Sequence, residues 1–222
     1  MSKEIDARKR IAVLVSGGGS NLQAIINHCE AGNIQGEIVC VISDTQDAYA
    51  LQRADQHDIK SIFIQRSDFA NRDDFEQALL DHLAKHEAEI VLLAGFMRVL
   101  SSRFTEAYQG RMLNIHPSLL PAFPGLHTHK RALKEKVTQH GCSVHFVTAE
   151  LDGGPIVLQA CVPVLSDDDE DTLSRRVLDK EHIIYPMCAQ WLCEQKISMK
   201  NGQAYFNNKL LETPLLLDDL TD

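Results

Sequence analysis

Four apolar runs set the terms on which this chain can fold. Residues 11–15 (IAVLV), 38–43 (IVCVIS), 61–64 (SIFI) and 90–94 (IVLLA) carry almost no polar alternation. That is how strands read when helices cover them on both faces. Between the runs, apolar residues recur at helical spacing: Leu22, Ile25, Ile26 and Cys29, then residues 48–57, then 73–86. Strand-like and helix-like segments in alternation predict a parallel sheet with right-handed crossovers. The expected fold class is therefore α/β, a single-domain open, mostly parallel twisted sheet with helices on both faces.

Further along, residues 143–147 and 156–164 read as strands and 172–195 as a long helix. Asn201-Gly202 between residues 197–200 and 203–206 signals a hairpin. The expected organisation is an N-terminal extension over 1–10 and a domain over 11–196. Within it one half covers about 11–95 and the other about 96–196. A C-terminal hairpin and frayed acidic tail would cover 197–222.

The first apolar run ends in Ser16-Gly17-Gly18-Gly19-Ser20-Asn21, directly before a helix. Glycines let the backbone approach an anion, and the free N–H groups of the helix start favour negative charge, so a phosphate is the natural guest. No Lys follows, so this is not a Walker loop. The third glycine of a dinucleotide fingerprint is replaced by Leu22, although Asp44 stands where a ribose-binding acid would be and keeps an NAD-linked dehydrogenase as a rival reading. A tight turn with no ligand is the bland alternative.

Residues 111–129, RMLNIHPSLLPAFPGLHTH, hold the strongest chemical signal. Met112 to Ile115 read as a buried strand that breaks at Pro117. Asn114 and His116, two apart, face one way at its last residues, where a parallel sheet opens its ligand crevice. An amide donor beside an imidazole suits the polarisation and protonation of a carbonyl. Either residue alone would more simply satisfy backbone groups at a strand end.

Asp152, followed by Gly153 and Gly154, would reach this histidine if its loop folds back, and its charge would favour the imidazolium; an Asp before two glycines is otherwise an ordinary turn former. Gly95 to Leu100, directly after the fourth strand, could line a slot for a flat heteroaromatic ring, or simply pack. Arg72 could meet an acidic ligand tail or remain a solvated surface charge. His82 and His86 have metal-ligand spacing on one helix face, but no third ligand is evident and no metal is expected. His127 and His129 suit substrate positioning better.

With 44% hydrophobic residues over 222, the chain can bury a full core. Its net charge of −9 and pI near 5.5 disfavour nucleic acid or a membrane surface as partner, because phosphate binding needs a clustered positive field. Small-molecule substrates are expected. The six cysteines form no C-x-x-C pair and mostly lie in apolar runs, as reduced core residues of a cytoplasmic protein do. Composition leaves monomer and homodimer open.

Taken together, SGGGSNLQAI, AGFMRVLS, LNIHPSLLPAFPGLHTH and SVHFVTAELDGGPI closely resemble the phosphoribosylglycinamide formyltransferase family of folate-dependent enzymes, over about residues 10 to 195. Methionyl-tRNA formyltransferases share the asparagine, histidine and aspartate, but have an Arg-rich segment where this chain has Pro124-Gly125-Leu126-His127, and an added C-terminal domain. Formyltetrahydrofolate deformylases usually have His where Pro117 stands, and an N-terminal regulatory domain. Gly18 departs from the Asn of many bacterial members, which leaves the backbone role of the loop intact.

The resemblance implies a Rossmann-like formyltransferase fold and formyl transfer from 10-formyltetrahydrofolate, as co-substrate, to the amine of glycinamide ribonucleotide in purine synthesis. It implies that Gly19, Ser20 and Asn21 hold the phosphate, with Glu181 at the sugar or amine. Met97, Arg98, Val99, Leu100 and Asn114 would receive the folate, with Arg72 at its benzoyl-glutamate end. Asn114, His116 and Asp152 would be catalytic. A hydrolase that deformylates the same folate is the alternative.

Overall fold

A computed structural model describes residues 8–220. The chain runs β1 (Lys9–Val15), α1 (Ser20–Glu30), β2 (Gly36–Ser43), α2 (Tyr49–Gln56), β3 (Ser61–Phe63), α3 (Arg72–Lys85), β4 (Ile90–Leu93), α4 (Ser102–Ala107), β5 (Met112–His116), α5 (Thr128–Glu135), β6 (Gln139–Phe146), β7 (Ile156–Pro163) and α6 (Glu170–Cys193). Three short strands follow, β8 (Ile197–Lys200), β9 (Gln203–Phe206) and β10 (Lys209–Leu210), and then β11 (Leu215–Leu216).

The main sheet has the order β11-β7-β6-β5-β4-β1-β2-β3. Every pairing from β3 through β5 is parallel, as the apolar runs require, whereas β6 runs antiparallel to both β5 and β7. Three of the four first runs are buried throughout their centres: Val13 and Leu14 of β1, Val41 and Ile42 of β2, and Val91 and Leu92 of β4 are fully covered, whereas in β3 Phe63 is exposed. Alternate residues feed two cores. Ile11, Val13, Val41 and Leu92 pack towards α1, α2 and α6, while Ala12, Leu14, Ile42 and Val91 pack towards α3 and α4. Strand order reverses between β1 and β4, which makes the crevice outside their C-terminal ends the topological switch point where open α/β sheets bind ligands.

A cap and a buried hydroxyl fix the long helix that borders this crevice. In α6, Asp169 and Thr172 form a reciprocal capping box. Its buried Tyr185 donates to the carbonyls of Leu93 at 2.8 Å and Leu113 at 3.2 Å, tying the helix to the ends of β4 and β5.

Two expectations need correction, and a third gains a strand. Lys9 and Arg10 belong to β1, paired with Gly36 and Glu37, so only residues 1–7 of the predicted extension lie outside the described residues. The predicted hairpin exists, with Asn201-Gly202 at its turn, but β10 adds a third strand. The predicted frayed tail is in large part ordered: Leu215 and Leu216 pair in parallel with β7, and Leu217 enters the core at 5% exposure. Burial of Leu217, with Leu215 packed partly against the core, outweighs the acidic residues after it. Residues 221 and 222 lie outside the described residues.

Candidate active site

The site is built from three loops at the C-terminal edge of the sheet. The first leaves β1. Gly19 is the N-cap of α1 at φ 69°, with no side-chain cap, so the first N–H groups of the helix remain directed at the crevice. A Cβ at Gly19 would stand 2.6 Å from the Ala50 Cβ, whereas Gly17 and Gly18 have open space around them. The carbonyls of Gly17 and Gly18 are taken by the Ala50 N–H at 3.1 Å and the Arg53 Nε–H at 2.8 Å. Ser20 opens α1.

Asn21 turns its amide inward, where Nδ2–H donates to Glu181 Oε2 at 2.7 Å, while its Oδ1 is buried without a partner among the described residues. Burial pushes the Glu181 carboxyl up to about 7, partly offset by the Asn21 donor. Asn21 and Glu181, 160 positions apart in sequence, thus form one buried unit beside the glycine loop.

The second loop follows β4. Residues 96–100 have no regular structure, and Met97 and Val99 project outward at 66% and 54% exposure while Leu100 is buried. The far end of this segment is anchored through Glu76, a buried carboxylate of α3. Glu76 accepts the Ser101 N–H at 2.9 Å and the Ser101 hydroxyl, and pairs with Arg72 Nε at 2.8 Å. Arg72 therefore lies beside the end of the segment rather than free in solvent.

The third loop joins β6 to β7 and brings Asp152 to the end of β5. Gly154 makes this possible, since a Cβ there would meet the Phe146 carbonyl oxygen at 1.8 Å. Asp152 itself adopts φ 50°, the left-handed region that Asp tolerates better than most residues. Its Oδ2 accepts the Gly125 N–H at 2.8 Å and lies 3.5 Å from His116 Nδ1, and its Oδ1 lies 3.8 Å from His145 Nε2. His116 Nε2 faces the Phe123 carbonyl oxygen at 3.0 Å. Both ring nitrogens of His116 thus look at acceptors, and the doubly protonated imidazolium satisfies both.

Asn114 is held by a residue that sequence reasoning left without a role. His145 lies opposite it in the antiparallel β5–β6 pair, 3.1 Å from Asn114 Nδ2 through Nε2. The other ring nitrogen, Nδ1, faces the Phe146 carbonyl at 2.9 Å and must donate to it, so Nε2 accepts from the asparagine. Burial lowers the His145 pKa and keeps the ring neutral, as an acceptor requires. The amide of Asn114 keeps a second N–H for a ligand. An open crevice is lined by Asn114, His145, Asp152, Arg98, Val99 and Leu100, among others. His116 stands just behind Asp152.

The prolyl loop between β5 and α5 is fixed by side chains of β6 and β7. Ser143 Oγ donates to the Ser118 carbonyl at 2.7 Å and accepts the Leu120 N–H at 3.1 Å, and Gln159 Nε2 donates to the Leu120 carbonyl at 2.9 Å. The ring of His129 packs edge-on against the buried His140, with centroids 5.2 Å apart. Asp44 is likewise taken: its two carboxylate oxygens accept from Ser16 Oγ and Arg98 Nε, which leaves the dinucleotide reading without its ribose acid.

A mostly parallel sheet with an uncapped glycine loop and an Asn–His–Asp cluster beside its switch point defines a class, and the comparisons agree with it. The chain belongs to the formyl transferase family, whose model matches residues 9–188. It is 46% identical to the phosphoribosylglycinamide formyltransferase of Escherichia coli (strain K12) over 90% of this chain and 95% of that protein. It is also 48% identical to part of the trifunctional purine biosynthetic protein adenosine-3 of Drosophila melanogaster, over 81% of this chain and 13% of that protein. The phosphoribosylglycinamide formyltransferase of Coxiella burnetii superposes with a TM-score of 0.89 at 43% identity, covering 93% of this chain and 99% of that one. A formyltetrahydrofolate deformylase from Pseudomonas syringae is more distant, with a TM-score of 0.83 at 25% identity, and this chain spans 66% of its length.

Proposed function

We propose that this chain transfers the formyl group of 10-formyltetrahydrofolate to the amine of N1-(5-phospho-D-ribosyl)glycinamide, a step of purine synthesis. The observation that carries this reading is the meeting of Asn114 and Asp152 in one crevice beside residues 98–100, with His116 3.5 Å from Asp152 directly behind it. The ribonucleotide phosphate lies on the N–H groups of Gly19, Ser20 and Asn21. Glu181 and the unpartnered Asn21 Oδ1 receive N–H or O–H donors of the sugar or amine. The folate ring lies along Met97, Arg98, Val99 and Leu100, with Arg72 towards its acidic tail and Asn114 at its reacting end.

The amine nitrogen attacks the formyl carbon, and the carbonyl electrons move onto oxygen. The free N–H of Asn114 and the His116 imidazolium stabilise this oxyanion; for His116 the Nε2–H leaves the Phe123 carbonyl to do so. The attacking nitrogen loses a proton and the folate N10 gains one, from His116 or through water, as the C–N10 bond breaks. Tetrahydrofolate and the formylated ribonucleotide result. Asp152 holds the countercharge of the imidazolium while the oxyanion exists, and where His116 gives its proton to N10 the proton lost by the attacking nitrogen restores it.

The antiparallel register that sets His145 against Asn114 favours transfer chemistry on a carbonyl rather than hydride chemistry, because it leaves one amide N–H oriented and free. The test is an assay with both substrates, followed through the folate absorbance change and through formate. Transfer predicts an absorbance change that needs the amine acceptor; formate released at the same rate without acceptor would make the protein a deformylase. Small molecules are the partners. No helix among the described residues is long and apolar enough to cross a membrane.

A further inference from the structure

Asp44 ends at the switch point and is used by no step of the reaction above. Its side chain is only 3% exposed, yet it carries a carboxylate with partners from two other segments. Oδ1 accepts the Ser16 hydroxyl at 2.6 Å and Oδ2 accepts Arg98 Nε–H at 2.5 Å. Ser16, the first residue after β1, accepts the Met97 N–H on its own Oγ at 2.9 Å and donates its N–H to the Gly95 carbonyl at 3.0 Å. Three bonds from the ends of β1 and β2 therefore converge on residues 95–98, and a fourth joins Ser16 to Asp44. Packing does little to fix this stretch, because Met97 and Val99 project outward and the backbone is irregular. A buried carboxylate is unfavourable unless paired, so removing either partner frees the other.

We propose that Asp44 is a positioning residue for the folate: through Ser16 and Arg98 it holds the backbone of residues 97–99 in the shape that receives the ring. The same side chain ties that shape to the first residue of the glycine loop. The inference rests on the formyl-folate reading of the site. A role in stability alone predicts general loss in an Asp44 variant; a positioning role predicts loss confined to one substrate.

The test titrates tetrahydrofolate into the full chain and into Asp44→Asn, Asp44→Ala, Arg98→Ala and the Asp44→Ala/Arg98→Ala double variant, alongside steady-state kinetics. Asparagine is isosteric, keeps an acceptor for Ser16 and turns its NH₂ towards Arg98. In Asp44→Asn the Kd and KM for the folate should rise about tenfold, the size expected for losing one hydrogen bond to a charged group. Turnover at saturation and the ribonucleotide KM should stay near wild type. The double variant should bind no more weakly than the worse single variant, since the two act as one unit. Unchanged folate affinity in Asp44→Asn, additive losses in the double variant, or lower turnover at unchanged folate KM would each overturn the proposal. Should Asp44→Ala not fold, Asp44→Asn carries the comparison alone. A wild-type protein that bound no tetrahydrofolate would instead remove the formyl-folate reading, and this inference with it.

Discussion

Asp152 Oδ2 lies 3.5 Å from His116 Nδ1 while accepting the Gly125 N–H at 2.8 Å, so one carboxylate oxygen serves both the imidazole and the loop that covers it. Asp152→Asn keeps the size, and its carbonyl oxygen can still take the Gly125 N–H. What disappears is the countercharge of the imidazolium. Turnover should fall by about 10² or more, within the range for a lost electrostatic partner, while circular dichroism and tetrahydrofolate affinity remain close to wild type. Turnover within a factor of three would remove Asp152 from the chemistry.

His145 predicts a second effect at one remove. Replacing it with Phe takes the acceptor from Asn114 Nδ2 and leaves the amide free to rotate. Turnover should drop roughly tenfold, as for one buried hydrogen-bond partner lost. His145→Gln, which restores a side-chain acceptor, should recover part of it. Equal losses in the Phe and Gln variants would argue that packing alone matters.

The glycine loop separates two neighbours sharply. Gly19→Ala places a Cβ 2.6 Å from Ala50 at φ 69°, a backbone region unfavourable for alanine by roughly 1–2 kcal/mol before any clash is counted. It should lower the melting temperature and weaken ribonucleotide binding. Gly18→Ala meets open space and should do neither. The same loop predicts that the unphosphorylated glycinamide riboside binds much more weakly than the ribonucleotide; equal affinities would refute the phosphate assignment.

Stability against pH follows from Glu181, whose carboxyl burial raises from 4.5 to about 7. Between those values the folded state holds a proton that the unfolded chain has lost. This contribution is therefore fully present below about 4.5 and is lost as pH rises through about 7. Glu181→Gln stays neutral throughout, so it should match wild type near pH 4 and exceed it by about 3 kcal/mol near pH 8. His140, lowered by burial from 6.5 to about 4, slopes the opposite way in an overlapping window, with stability lost as pH falls. Denaturant titrations of variant and wild type at each pH cancel that common slope. Parallel curves would mean that Glu181 does not titrate in this range.

The parallel half of the sheet was legible because continuous apolar runs have one common explanation, burial on both faces. The antiparallel turn of β6 was not. Strand direction leaves no trace in periodicity, and His145 gains its role only because that direction sets it opposite Asn114. Helices α4 and α5 escaped for a different reason. α4 spans six residues, and α5 buries only Thr128 and Ala132, so neither carries an apolar face long enough to read. Asn114, His116 and Asp152 were legible as chemistry, whereas the anchors of residues 96–100 are ordinary residues, Ser16, Asp44, Glu76 and Ser101. Their importance lies in whom they meet.

His116→Ala tests the account most directly, in single-turnover experiments with glycinamide ribonucleotide and 10-formyltetrahydrofolate both saturating. The rate of formyl transfer should fall by about 10² to 10⁴, the range for a lost general acid, with the dissociation constants of both substrates nearly unchanged. Transfer within a factor of ten of wild type would contradict the claim that this imidazolium meets the charge developing on the formyl oxygen.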